Sequence, residues 1–258
     1  MSKRKTSALR KEYDTRFTHS KNSNQTFYMN ESKTIDFNQV QTKQKRRNIE
    51  LVPKSLNQEK YIISLQNTET DIVVVSGPAG TGKTYLAMLA AIKALRQGEC
   101  QQIILTRPAV GVDDEKHGFL PGDLNAKMEP WTRPLLDVLK EFYPVRDIAK
   151  MLDEQIIEIA PLAFCRGRNF KQSWVILDEA QNATPNQLKM IMTRIGIGSK
   201  IVITGDIEQT DRKNVQNGLM DLMEKLRTKQ VPGLEFCEFG VKDVQRHKII
   251  EHVLALYA

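Results

Sequence analysis

From residue 56 onward the chain alternates between two kinds of hydrophobic pattern. Short β-branched and aliphatic runs, bounded by polar residues, occur at 71–76 (DIVVVS), 102–106 (QIILT), 156–160 (IIEIA), 173–177 (SWVIL) and 200–204 (KIVIT). Each is apolar almost throughout, which fits strands buried on both faces better than the strict alternation of a half-solvated strand. Between them, apolar positions recur at helical spacing over Leu56–Asn67, Lys83–Gln97, Pro130–Phe142, Pro185–Ile195 and Gln216–Arg227, with a closing helix over roughly Asp243–Tyr257. The helix at 185 carries its own start signal: Thr184 can cap it, Pro185 suits its first position, and Gln187 completes a capping box. Leu188, Ile191, Met192 and Ile195 read as the stripe this helix turns to the core. Buried strands alternating with amphipathic helices predict an α/β fold, a mostly parallel sheet with helices on both faces.

Residues 1–50 break this pattern. They are rich in Lys, Arg, Ser, Thr, Asn and Gln and hold no sustained period of either kind, so they read as a flexible arm with one short ordered piece around Ile35 to Val40. The division expected is an arm over 1–50 and a folded domain over 51–258. Charge sharpens the contrast. The arm holds 12 of the 38 Lys and Arg and 5 of the 31 Asp and Glu, which accounts for the whole net charge of +7. A mobile basic segment suits contact with phosphate backbones through counterion release, and equally suits a solvated tail that keeps the protein in solution.

Composition excludes several classes. The chain of 258 residues is 40% hydrophobic and 27% charged, ordinary for a soluble globular protein. No apolar run approaches the length of a membrane helix, and the basic N-terminus lacks the apolar stretch of a secretory signal. Its three cysteines (Cys100, Cys165, Cys237) have no paired spacing, which argues against a disulfide scaffold or zinc knuckle and fits a cytoplasmic protein.

The first chemical motif is Gly77-Pro78-Ala79-Gly80-Thr81-Gly82-Lys83-Thr84, a complete GxxxxGK[ST] placed between a buried strand and an amphipathic helix. Glycines there let backbone N–H groups turn inward around phosphates, and the helix N-terminus adds partial positive charge. Lys83 is expected to reach the β- and γ-phosphates of ATP, and the Thr84 hydroxyl to ligate Mg²⁺. A second motif is Trp174-Val175-Ile176-Leu177-Asp178-Glu179-Ala180-Gln181: an apolar strand ending in Asp178-Glu179 places two carboxylates at the carboxyl edge of the sheet, Asp178 to hold Mg²⁺ and Glu179 to polarise the attacking water. A third, Ile203-Thr204-Gly205-Asp206-Ile207-Glu208-Gln209-Thr210-Asp211, again lies at a strand's carboxyl end, and Gln209 supported by Asp206 is the candidate sensor of the γ-phosphate.

These elements together resemble the PhoH-like family of P-loop ATPases, related to superfamily 1 helicases, over roughly residues 52–256. Further stretches carry the likeness: Asn57-Gln58, Thr106-Arg107-Pro108, Gly118-Phe119-Leu120-Pro121-Gly122-Asp123, Arg166-Gly167-Arg168 and Asp243-Val244-Gln245-Arg246-His247. The resemblance implies a RecA-like P-loop NTPase domain with ATPase and RNA-helicase-like activity and a tendency to form rings. It also implies that Gln58 reads the adenine and that Arg246 acts as an arginine finger. The first fifty residues do not resemble the folded N-terminal nucleic-acid-binding domain of some relatives, and no room is left for a PIN-type nuclease domain, so RNA cleavage is not expected of this chain alone.

One P-loop and a single RecA-like domain leave the ATP site at an open edge. The expectation is therefore a homo-oligomer, a hexameric ring, in which Arg246 or Arg166 completes a neighbour's site; the alternative for Arg246 is a surface position on the last helix. The segment 108–134 mixes Lys116, Lys127 and Arg133 with Phe119 and Trp131, a combination that suits single-stranded nucleic acid, RNA over DNA, and equally suits aromatic anchors packed on the core. Arg166 and Arg168 leave the same choice open. The function expected is Mg-dependent ATP hydrolysis coupled to binding or remodelling of single-stranded nucleic acid. The alternative is an ATP-gated scaffold for a protein partner, without strand separation; a small-molecule kinase lacks a recognisable acceptor lid.

Overall fold

The computed structural model describes residues 48–108, 133–210 and 216–245. The basic arm with its piece at 35–40, the segment holding Lys116, Phe119, Lys127 and Trp131, and Arg246 with the rest of the closing helix lie outside the described residues.

Among the described residues, six strands, β1 (Ile72–Ser76), β2 (Gln102–Arg107), β3 (Ile157–Pro161), β4 (Ser173–Leu177), β5 (Lys200–Gly205) and β6 (Leu234–Glu238), form one sheet in the order β3-β2-β4-β5-β1-β6. Every neighbouring pair is parallel. Successive side chains leave opposite faces. Val73, Val75, Ile103, Leu105, Trp174, Ile176 and Val202 build one core, and Val74, Ile104, Val175, Leu177, Ile201 and Ile203 the other.

Helices cover both faces, as the near-continuous apolar strands require. The first core is closed by α1 (Leu56–Gln66), α2 (Lys83–Gln97), Leu135 and Leu139 of α3 (133–140), and Ile148 of α4 (Val145–Asp153). Ala87, Ala90, Ala91 and Ala94 are buried on α2, and their small side chains let this helix lie close to the strands. The second core is closed by α5 (Pro185–Met192), α6 (Gly218–Thr228) and the short 3₁₀ turn Leu162–Cys165. Among the described residues no helix is long and apolar enough to cross a membrane.

The predicted strands and the capping box of α5 are present, with Thr184 Oγ1 accepting from Gln187 N at 3.2 Å and Gln187 Oε1 from Thr184 N at 2.9 Å. Several boundaries differ for identifiable reasons. Helix α5 stops at Met192, not Ile195, because Phe170 N claims Arg194 O at 2.9 Å and draws the chain into a bridge between Phe170 and Ile195. Helix α6 starts at Gly218, where Asn217 accepts from the N–H groups of Leu219 and Met220. The closing helix does not begin at Asp243: Val241–Asp243 is a 3₁₀ turn followed by extended Val244, and Gln245 N donates instead to Gly80 O at 2.8 Å. Two elements had no sequence expectation. Strand β6 is an edge strand with only partial burial, and α4 buries Ile148 alone.

Candidate nucleotide site

In a parallel sheet all carboxyl ends share one edge, and β4, β5 and β1 are consecutive in it. The loops that follow them, which carry the three predicted motifs, are therefore neighbours. Ser76 pairs with Gly205, and Leu177 with Ile203. A parallel sheet with a P-loop after β1 and an acidic pair after β4 is the RecA-like P-loop NTPase arrangement.

The glycines of the P-loop answer to two separate constraints. A Cβ on Gly77 would lie 2.5 Å from Phe239 O, so the loop backbone presses directly on the segment leaving β6. Gly80 and Gly82 have φ of 84° and 80°, the left-handed region that side chains disfavour. Gly82 is also the cap of α2, whose first-turn N–H groups and positive dipole end open toward the loop. Lys83, the first helical residue, is buried, and its Nζ donates to Gly77 O at 2.6 Å and Pro78 O at 2.8 Å, which holds the ammonium inside the loop curve.

The two predicted metal ligands meet. Thr84 Oγ1 donates to Asp178 Oδ1 at 2.7 Å. Two residues without a predicted role join them: Thr204 Oγ1 donates to the same Oδ1 at 2.7 Å, and Arg107 Nε donates to Oδ2 at 3.0 Å, with its Nη2 forming an ion pair there. Asp178 is thus 5% exposed yet fully paired, as a buried carboxylate must be. A hydroxyl and a carboxylate in contact beside the P-loop are hard oxygen donors of the kind Mg²⁺ accepts, and Mg²⁺ on nucleotides needs only one or two protein ligands because phosphates and water supply the rest. The residues present fit that ion.

Glu179 follows in a left-handed conformation (φ 57°, ψ 40°) and opens the 3₁₀ turn Ala180–Asn182. This turn brings Gln181 back beside it, and Gln181 Nε2 donates to Glu179 Oε2 at 2.6 Å. The third motif stands opposite. Asp206 Oδ2 accepts from Ala79 N at 3.1 Å and from Gln209 Nε2 at 2.9 Å, while Oδ1 accepts from Glu208 N at 3.1 Å. Gln209 and Asp206, expected together as sensor and support, are hydrogen-bonded to one another, and Asp206 also to the P-loop.

Gln58, in the first turn of α1, is 3% exposed and reaches the P-loop, donating from Nε2 to Thr81 O at 2.9 Å. Its Oε1 accepts from Lys54 N at 2.7 Å, so both ends of the amide are engaged by backbone. Tyr61, one turn on, donates its hydroxyl to Lys83 O at 3.2 Å and packs edge-on against Phe239, ring centres 5.6 Å apart. Burial raises the Tyr61 hydroxyl pKa well above its ordinary value, helped by Cys237 and Asp178, so it stays a neutral donor. Asp243 ties α1 to the segment beyond β6, its Oδ2 accepting from Asn57 Nδ2 and Gly240 N, each at 2.8 Å. Burial works to raise the pKa of this carboxyl, but hydrogen bonds from Ser55, Asn57 and Gly240 outweigh it and hold the group below the usual range.

The two arginines after β3 separate. Arg168 donates to Glu158 Oε2 at 2.7 Å and lies over the Phe170 ring, a structural role. Arg166 is exposed and lines a surface depression with Asn186, Gln187 and Met190. Arg107, Thr204 and Gln181 lie inside the stretches that carry the motifs and the likeness, yet none had an assigned role. The first two are strand positions whose meaning depends on which strands flank β4.

Residues 50–258 match the family described as PhoH-like protein. The PhoH-like protein of Synechocystis sp. is 46% identical over 204 residues, covering 79% of this chain and 61% of that protein. The PhoH-like protein of Bacillus subtilis is 45% identical over 205 residues, covering 79% and 63%, and Protein PhoH of Escherichia coli 36% over 201 residues, covering 77% and 55%. The chain thus spans about three fifths of the length of the curated relatives it matches. Among solved structures, the large terminase of a thermophilic bacteriophage is similar with a TM-score of 0.48 at 12% identity, over 79% of this chain and 50% of that one.

Proposed function

This chain belongs to the PhoH-like protein family, and on that premise we propose that it binds ATP with Mg²⁺ and hydrolyses it, coupling the cycle to single-stranded nucleic acid, RNA in preference to DNA, in a helicase-like manner. The observation that carries the reading is the convergence of Lys83, Thr84, Asp178, Glu179, Asp206 and Gln209 on one edge of the sheet. Backbone N–H groups of residues 77–84 and the start of α2 receive the phosphates, and Lys83 exchanges its carbonyl partners for phosphate oxygens. Thr84 and Asp178 would hold Mg²⁺, which when bound would neutralise phosphate charge. Glu179 polarises the attacking water, and Gln209 with Asp206 reports the γ-phosphate to the loop after β5.

Gln58 serves the adenine side. Its amide is already bound to Thr81 O and Lys54 N, so reading the base entails sharing or exchanging one of these partners. The position of the P-loop at an edge of a single RecA-like domain supports assembly into a hexameric ring, in which a neighbour's Arg246 or Arg166 completes the site and an arginine finger accelerates hydrolysis by roughly 10³ to 10⁵. The basic arm over 1–50, ahead of the ATPase domain over 51–258, is a second contact for nucleic acid.

The test is the ATPase rate with and without single-stranded RNA and DNA at low and moderate salt, with Lys83→Ala and Glu179→Gln alongside. Stimulation by RNA, lost in both variants, is expected. Slow hydrolysis that no polymer stimulates would replace this reading with the ATP-gated scaffold. Sedimentation with ATP bound checks the ring, and a strict monomer would remove it.

A further inference from the structure

Gln181 is 2% exposed, and its amide is fully used. Nε2 donates to Glu179 Oε2 at 2.6 Å and to Gln209 O at 3.1 Å, while Oε1 accepts from Asp206 N at 3.1 Å. These partners fix the orientation of the amide. Two acceptors face its nitrogen and one N–H faces its oxygen, so the flipped form would satisfy none of them. On the far side of Asp206, its Oδ2 accepts from Ala79 N in the P-loop. A continuous hydrogen-bonded chain therefore runs from the P-loop through Asp206 and Gln181 to the carboxylate of Glu179.

From this geometry we infer that Gln181 is a positioning residue for hydrolysis: its amide aims Glu179 and ties it to the loop after β5, so that the water-polarising carboxylate and the phosphate-sensing loop move as one unit. The inference rests on the reading of Glu179 as the group that polarises water. Three further features support it. Glu179 holds a left-handed conformation that a side-chain-bearing residue adopts only at a cost, and that turn is what returns position 181 to its neighbour's carboxylate. The space around the amide is closed, since a Cβ on Gly205 would lie 2.8 Å from Gln181 Oε1. The bonding pattern also demands an amide. A carboxylate at 181 could not donate to Glu179 and would set like charges in contact, and an apolar isostere would leave Asp206 N buried without an acceptor.

A double-mutant cycle in the full chain tests this, with Gln181→Met and Glu179→Gln read as kcat, KM for ATP and nucleotide Kd. Gln181→Met should lower kcat by about 10- to 100-fold, as a misaimed catalytic group does, with KM and Kd within about twofold. In the Glu179→Gln background it should cost nothing further, because the two residues act as a unit. Multiplying losses, or an unchanged kcat, would overturn the inference. Gln181→Glu, of equal size and shape, should fail to rescue; full activity in that variant would also overturn it.

Hydrogen exchange supplies a readout that needs no turnover. The Asp206 amide, bonded to Gln181 Oε1, should exchange at least about tenfold faster in Gln181→Met, and also faster in Glu179→Ala, where the amide loses its anchor. Unchanged Asp206 exchange in Glu179→Ala would break the proposed tie. Wild-type protein that hydrolyses nothing would overturn the ATPase reading instead, and the exchange experiment would then decide the tie alone.

Discussion

The two sides of the β4 carboxyl end are built differently. On the Asp178 side every partner comes from a regular element: Thr84 from the first turn of α2, Thr204 from β5 and Arg107 from β2. On the Glu179 side the partners come from loops and a strained turn, and one amide holds them together. The two carboxylates are adjacent in sequence, yet one is clamped by strands and a helix and the other is held by a turn and a loop. On the proposed function, the contrast separates two tasks. Holding a cation and phosphates calls for fixed geometry, whereas a group that acts only when nucleotide is correctly placed must sit where the P-loop can influence it.

Several substitutions would break or sharpen this contrast. The largest effect should come from Glu179→Gln, which on the proposed function lowers kcat by about 10² to 10⁴ while nucleotide affinity and melting temperature stay near wild type; a fall in stability instead would mean Glu179 belongs to the clamped side. Asp178→Asn should do the reverse in kind, weakening the Mg²⁺ dependence of nucleotide binding and also destabilising the fold. The bonds from Arg107, Thr84 and Thr204 to a charged group are each worth about 1.5–3 kcal/mol, and urea denaturation would show a loss of stability of that order, read as the midpoint shift multiplied by the m-value. Gly77→Ala sits between the two. Its Cβ would meet Phe239 O at 2.5 Å, so a cost of about 1–3 kcal/mol is expected from overpacking, visible in a thermal melt without nucleotide.

The smallest effect lies far from the edge, at the opposite end of the sheet. Lys200, at the start of β5, donates Nζ to Leu65 O at 2.8 Å and Asn67 O at 2.7 Å, closing the C-terminus of α1. Burial pushes its pKa down to about 8, against the pull of Asp71 and Glu99. Because the unfolded chain keeps that proton up to the ordinary lysine value, the unfolded state binds more protons between about pH 8 and 10.5, and this residue makes stability rise with pH across that window and flat below it. Lys200→Met should remove that slope, measured by denaturant titration at several pH values, and leave nucleotide binding untouched.

Much of the nucleotide edge was legible because its motifs are contiguous. The P-loop needs eight successive residues and a helix start, and Asp178 with Glu179 need only a strand end, so spacing alone places them. Arg107 and Thr204 are different. Each closes on Asp178 only because β2 and β5 flank β4, and strand order is set by crossovers that no local pattern records. Gln181 stood inside the second motif without a role for another reason: that role depends on the left-handed turn at Glu179, and a glutamate gives no hint of positive φ in the way a glycine does. Strand β6 escaped because an edge strand with Glu235 and Glu238 exposed lacks the all-apolar signature of its neighbours.

The order β5-β1-β6 also sets a timetable for the newborn chain. Strand β1 is the first of the six to be synthesised, yet its two neighbours are among the last, with Ile72 paired to Ile201 on one side and Leu234 on the other. Until residue 238 has emerged the P-loop strand has an open edge, and Gly77 lacks the Phe239 backbone it leans on. Contacts this distant in sequence close slowly. A ribosome-bound intermediate stopped short of β6 would therefore carry the whole phosphate motif without its architecture, and nucleotide can reward only the finished sheet.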